Sequence, residues 1–210
     1  MTTGQCIELA AGEIMSETTV KTVFKSLMEN IKKSKYALSP LREAIANSLE
    51  AILQKDVFAA NVKPTITITF DFTGLLDEKK TLSKITVQDN GLGFDSQNYA
   101  RFETLLDKTK GYNNRGSGRI QFVHRFDRLD VTSYYVEGGE HYKRSFSCTA
   151  TKFIYDEKNT IDAEKHASGT TITFLAGNAL ERERAYFDAL EIEDIVRDLK
   201  GKFMLRYYLE

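Results

Sequence analysis

Apolar positions recur along the chain with two periods, one helical and one of alternate residues. In residues 41–52, Leu41, Ile45, Leu49 and Ile52 form one row at helical spacing. Glu43, Asn47 and Glu50 stand at i, i+4 and i+7 on the opposite side, so the segment predicts an amphipathic helix with a polar stripe. It follows a break at residues 36–40 and runs to about Lys55. Residues 16–33 predict an earlier helix, with Ser16 as its N-cap and Val20, Val23, Phe24, Leu27, Met28 and Ile31 at helical spacing.

Residues 65–72 alternate strictly, which places Ile66, Ile68, Phe70 and Phe72 on one face of a strand. Residues 82–88 alternate less regularly and stop at Asp89, so the two segments predict a hairpin. A short helix is expected over 96–107, then a polar, basic loop over 108–115, then a helix over 119–126 with Ile120, Val123 and Phe126 on one face. Residues 129–135, 142–150 and 152–155 predict strands, the first two joined by a Gly138-Gly139 turn. A polar loop is expected over 156–168, a strand over 169–174, and a charged helix over 180–199 carrying Phe187, Leu190, Ile195 and Leu199. This order predicts an α+β fold, with helices on one face of a largely antiparallel sheet. The 210 residues fit a single domain over 1–210 with a helical tail from about 180 to 210.

Composition narrows the function classes. The net charge of −1 gives no reason to expect nucleic acid or an anionic membrane as an obligatory partner. Cys6 and Cys148 lie far apart and outside any metal or redox motif, as expected of inert thiols in a reducing compartment. The N-terminal residues lack a basic region followed by an apolar core, and no apolar run approaches the ~18 residues of a membrane span. A cytoplasmic protein with no membrane partner is the expectation.

Four places carry candidate chemistry. The Glu43–Asn47 pair sets a carboxylate one turn from an amide, a geometry for a general base beside a hard cation, or simply a solvated helix face. Asp89-Asn90-Gly91-Leu92-Gly93 leaves the end of a strand. Its two glycines let backbone approach a ligand, and its Asp can accept from an exocyclic amine such as that of adenine; the plain alternative is a turn. Gly116-Ser117-Gly118 precedes a predicted helix behind Lys108, Lys110 and Arg115, a possible phosphate cradle that matches neither a Walker A loop nor a dinucleotide fingerprint. Gly169-Thr170 opens a strand, either as a turn or with a hydroxyl that reaches a base.

In this order and spacing the four resemble the GHKL ATPase superfamily of gyrase B subunits, heat-shock chaperones, histidine kinases, MutL and MORC proteins, and most of all its chaperone, MutL and MORC branches. The resemblance spans about residues 20–200 and implies a Bergerat-type sandwich that binds ATP with Mg²⁺. It implies Glu43 as the base that activates water and Asn47 as the Mg²⁺ ligand, with Glu50 at the pocket edge. Asp89 would hold the adenine amino group, supported by Thr170, while Gly91 and Gly93 let the base lie against backbone. Residues 95–115 would form a lid, with Lys110 on it, and Gly116, Ser117 and Gly118 would face the phosphates. His124, His141 and His166 stand in no phosphoacceptor-like helix, unlike a histidine kinase. Arg119 departs from the small or apolar residue commoner after the last glycine. The resemblance further implies slow hydrolysis that drives a nucleotide-dependent homodimer. The γ-phosphate Lys or Arg would come from a transducer domain of a longer protein or from a partner subunit. DNA-linked work and antiviral defence are among the roles of such proteins; a sensor that binds without hydrolysing is the alternative. A nucleic-acid-binding protein with no nucleotide site finds support only in the local cluster of basic residues 108–119.

Overall fold

The computed structural model describes residues 32–55, 62–74, 80–103 and 118–209. Helix α1 spans Ser39–Gln54. Strands β1 (Ile66–Thr73) and β2 (Thr81–Asp89) follow, then helix α2 (Ser96–Glu103). After a 3-10 helix at Gly118–His124 come β3 (Arg128–Glu137), β4 (Glu140–Cys148), β5 (Tyr155–Ile161) and β6 (Gly169–Leu175). A second 3-10 helix at Asn178–Glu183 leads into α3 (Arg184–Asp188) and α4 (Ile192–Leu209).

The six strands form one sheet in the order β1-β2-β6-β3-β4-β5, and every pairing is antiparallel. This is the expected α+β sandwich. Core-facing residues line up across the strands in rows: Ile85, Phe174, Leu129 and Cys148 in one, Val87, Ile172, Val131 and Phe146 in the next. The first row is buried throughout; in the second Val87, Val131 and Phe146 are buried and Ile172 is half-buried. Leu41, Ala44, Ile45 and Ile52 of α1 are buried on the helix side, and Leu49 packs partly against the same core. The helical row read from the sequence is therefore the packed one, with Glu43, Asn47 and Glu50 outside the buried set. The irregular period of β2 has a local cause. The β1–β2 register shifts beside Asp71 and Phe72, so Lys84 opposes Asp71 while Leu82 opposes Phe72. That bulge returns Leu82 to the core face that Ile85 and Val87 share.

Three expectations need correction. Residues 155–161, taken partly as loop, form β5, an edge strand almost wholly exposed and so without an apolar alternation to reveal it. Residues 119–126 do not form an α-helix: the segment is the 3-10 helix, whose Phe122 and Val123 are buried with Phe126 just beyond. The charged tail breaks near Leu190, where the Leu190 N–H reaches back only to Phe187 and Glu191 starts a new helix by accepting from Asp194 and Ile195. Most of the expected helix at 16–33 lies outside the described residues. Lys32 and Ser34 are tied to the 3-10 helix by the Gln121 side chain, which donates to the Lys32 carbonyl at 3.2 Å and accepts the Ser34 N–H at 2.9 Å. Nearby, wholly buried Arg125 donates to the Ser34 carbonyl at 2.7 Å and pairs with the Glu183 carboxylate at 2.7 Å.

Candidate functional site

Beyond the two apolar rows, the next core-facing row is polar from β2 to β5. Asp89 opposes Thr170, Thr170 opposes Ser133, Ser133 opposes Arg144, and Arg144 opposes Asn159. Ser133 is 0 % exposed, Asp89 7 %, and Thr170 and Arg144 5 % each. Polar groups withdrawn this far from water cost free energy unless they are hydrogen-bonded. Here they are bonded to one another, to Ser48 and Gly169, and to one short piece of backbone.

That piece is residues 89–95, which leaves β2, passes the start of β6 and crosses the middle of β3 and β4 to reach α2. The Asp89 carboxylate accepts at Oδ1 from the N–H groups of Gly91 (2.9 Å) and Thr170 (3.3 Å). At Oδ2 it accepts from the Ser48 hydroxyl of α1 at 2.7 Å. Further along, the Phe94 N–H donates to Ser133 Oγ at 2.8 Å, and Ser133 in turn lies 3.1 Å from both the Gly169 carbonyl and Thr170 Oγ1. Arg144 Nη1 then donates to the carbonyls of Phe94 (3.0 Å) and Asp95 (3.2 Å). Asp95 caps α2 by accepting the Asn98 N–H at 2.7 Å.

The two glycines are required by this course. A Cβ on Gly91 would stand 2.7 Å from Ala51 Cβ, because the segment presses against the last turns of α1, where the Leu92 N–H donates to the Ala51 carbonyl at 3.1 Å. Gly93 has φ +83°, and a Cβ there would lie 2.3 Å from the Tyr134 carbonyl oxygen.

Electrostatically the centre of the site is Asp89. Burial pushes its carboxyl above the ordinary aspartate range, while the Ser48, Gly91 and Thr170 hydrogen bonds and the Lys55 ammonium pull it back. Lys55 closes the site from the end of α1, donating to the carbonyls of Asn90 (2.8 Å) and Ser168 (3.3 Å); desolvation lowers its own pKa, against the field of Asp89. An ionised carboxylate has about four acceptor positions, and the protein fills three of those on Asp89. The arrangement suits a fixed acceptor for one further N–H donor.

The structure thus brings together Asp89, Gly91, Gly93 and Thr170, with α1 alongside through Ser48. Thr170 acts on Asp89 through its backbone N–H, and its hydroxyl is shared with Ser133. Glu43 and Glu50 are half-buried and Asn47 is exposed on α1, Asn47 next in sequence to the Ser48 that touches Asp89. Lys110, Gly116 and Ser117 lie outside the described residues, as do residues 104–115 of the expected lid. Gly118 begins the first 3-10 helix, only seven residues long, so the expected α-helical dipole behind the Gly116–Gly118 motif is absent there. The lid's first part, 95–103, is α2 and its cap, docked on the sheet by an aromatic cluster. Phe94 and Phe102 meet Phe146 at 5.7 and 5.2 Å between ring centroids, and Tyr99 meets it at 5.5 Å.

Ser48, Lys55, Ser133 and Arg144 were not singled out as site residues. Three of them carry a readable signal, since each is a polar residue at a core-facing position: Ser48 between Ile45 and Ile52, Ser133 between Val131 and Tyr135, Arg144 two before Phe146. No protein-family model matches the chain, and no curated protein matches it significantly.

Proposed function

We propose that the chain is a GHKL-type ATP-binding domain that binds ATP with Mg²⁺ and hydrolyses it slowly to ADP and phosphate. One observation carries the reading: a buried aspartate held rigidly by Ser48, Gly91 and Thr170, with its following backbone pressed against Ala51 of α1 and Tyr134 of β3 at two glycines that nothing larger could replace. A carboxylate so fixed selects a base that offers an amine, as adenine does, over one that offers a carbonyl at the same place, as guanine does.

The remaining roles follow from α1. Mg²⁺ keeps most of its shell as water and phosphate oxygen and takes few protein ligands, so one exposed amide on Asn47 is a donor set that suits it. Bound there, the ion would neutralise charge on the triphosphate. Among the described residues no cluster of three or more His, Cys, Asp or Glu could hold a metal by itself. Glu43, one turn before Asn47 on the same helix, would orient or deprotonate water. Hydrolysis that needs a γ-phosphate cation from a transducer domain or a partner subunit would be slow in this chain alone, and closure on nucleotide would favour a homodimer. No described helix is long and apolar enough to cross a membrane, and a cytoplasmic location fits the reading.

Single-turnover hydrolysis tests the assignment of the base. Glu43→Ala should hold Mg-ATP within threefold of the wild-type affinity and lose at least about 100-fold in turnover, the scale expected of a general base. Undiminished turnover in Glu43→Ala would remove Glu43 from the mechanism. If wild type binds ATP but turns over none with any candidate partner, the domain is a non-hydrolysing sensor.

A further inference from the structure

We propose that Arg144 is a positioning residue that couples the Asp89 site to α2, by clamping the backbone through which residues 89–95 pass into that helix. The ligand's identity rests on the nucleotide reading above; the clamp does not.

Arg144 stands on β4 directly opposite Ser133, at the far end of the buried part of the polar row from Asp89, with exposed Asn159 beyond it. It grips three things at once. Nη1 donates to the last two carbonyls before α2, those of Phe94 and Asp95. The guanidinium lies 4.1 Å from the ring centroid of Tyr99, inside α2, and 5.3 Å from that of Tyr135 on β3. Nε is 3.5 Å from the Glu157 carboxylate on β5. The Asp95 carbonyl also takes the first helical hydrogen bond of α2, from the Tyr99 N–H at 2.9 Å, so the atom that Arg144 holds is the one on which the helix is founded.

Between Asp89 and α2 there are only six residues, and five of them are hydrogen-bonded in place: Asn90 by Thr65 and Lys55, Gly91 by Asp89, Leu92 by Ala51, Phe94 by Ser133 and Arg144, and Asp95 by Arg144. Slack is small, and a ligand that shifts the backbone of Gly91 to Gly93 must either move Phe94 and Asp95 or strain them against Arg144. The side chain therefore converts occupancy of the base site into the position of α2. Lysine cannot substitute, since it offers a point charge without the flat face that lies over Tyr99.

The test is amide hydrogen exchange of the whole chain with and without Mg-ATP, beside calorimetric affinity, in wild type, Arg144→Gln and Arg144→Lys. Mg-ATP should slow exchange of residues 94–103 at least fivefold in wild type. At saturating Mg-ATP, Arg144→Gln should show less than a twofold change in that segment, and Arg144→Lys should not restore it. Slowing of wild-type size in a folded Arg144→Gln overturns the proposal. If circular dichroism shows that Arg144→Gln is unfolded, Arg144→Lys, which keeps the charge, is judged by the same criterion. If wild type binds no Mg-ATP, the nucleotide reading fails instead. The clamp is then judged without ligand: Arg144→Lys must speed exchange of residues 94–103 at least tenfold relative to residues 66–73, and an unchanged ratio overturns it.

Discussion

At Gly93 two constraints meet that can be separated experimentally. Its φ of +83° disfavours any side chain, and a Cβ would also lie 2.3 Å from the Tyr134 carbonyl oxygen. Gly138, in the β3–β4 turn, shares the first constraint with φ +60° but has nothing within 4 Å of a Cβ. Urea unfolding should therefore show Gly93→Ala losing at least about 3 kcal/mol and Gly138→Ala only about 1 kcal/mol, the cost of the conformation alone. Equal losses would mean that the segment is free to move off Tyr134. Asp89 supplies a second prediction. Its raised pKa means that the folded chain holds the proton more tightly than the unfolded one, so this group's contribution to stability falls as pH rises from the ordinary aspartate range through the raised value. Binding runs the other way. On the proposed nucleotide reading it needs the ionised acceptor, so Mg-ATP affinity should fall on acidification at a pH above that at which an ordinary aspartate titrates. Lys55→Met, which removes the charge that lowers the Asp89 pKa, should move that fall to still higher pH; calorimetry across pH reads both. At this scale the sequence was most informative where a residue type contradicts its position. Asp89, Gly91 and Gly93 stand out as a motif, whereas Ser133 and Arg144 become conspicuous only once β3 and β4 reveal which face is the core.

Among the elements, α2 depends on Phe146, which is buried on β4 and touches Phe94, Tyr99 and Phe102. Phe146→Ala should cost about 3–5 kcal/mol in urea unfolding, as for other buried aromatic truncations, and should release α2 before the sheet melts. Exchange of residues 96–103 and of residues 129–135 at an identical rate in that variant would contradict a docking role for the Phe146 ring. The strands with one drier and one wetter face, β1 (half-buried on its apolar side) to β4 and β6, were legible in the sequence. Exposure hid β5, since YDEKNTI buries almost nothing and is held by its β4 ladder instead. The 3-10 helix at Gly118–His124 was hidden for a related reason. Its Phe122, Val123 and Phe126 repeat at a spacing that serves a short tight helix as well as an α-helix, and packing decides between them.

For the molecule as a whole, the sheet carries two apolar rows on its core face and turns polar where β2 stops and β6 starts. The α1 helix bridges both regions. Its buried residues join the core, Ser48 reaches Asp89, and Arg42 is tied by a two-point ion pair to Asp198 of α4. The fold class was legible because burial leaves a period in the sequence. The site was legible only in part, because the partners of Asp89 come from α1 and β6, 41 and 81 residues away, and no local pattern announces such contacts. The central claim is that this polar end is an adenine site built on Asp89. Calorimetric titration of Mg-ATP into the wild-type chain and into Asp89→Asn tests it most directly. The account predicts binding by wild type and at least a 100-fold weaker affinity in a folded Asp89→Asn, in which an amide N–H₂ donor replaces one acceptor oxygen. Equal affinity in the two would place the nucleotide elsewhere, and no binding by wild type would contradict the adenine site itself.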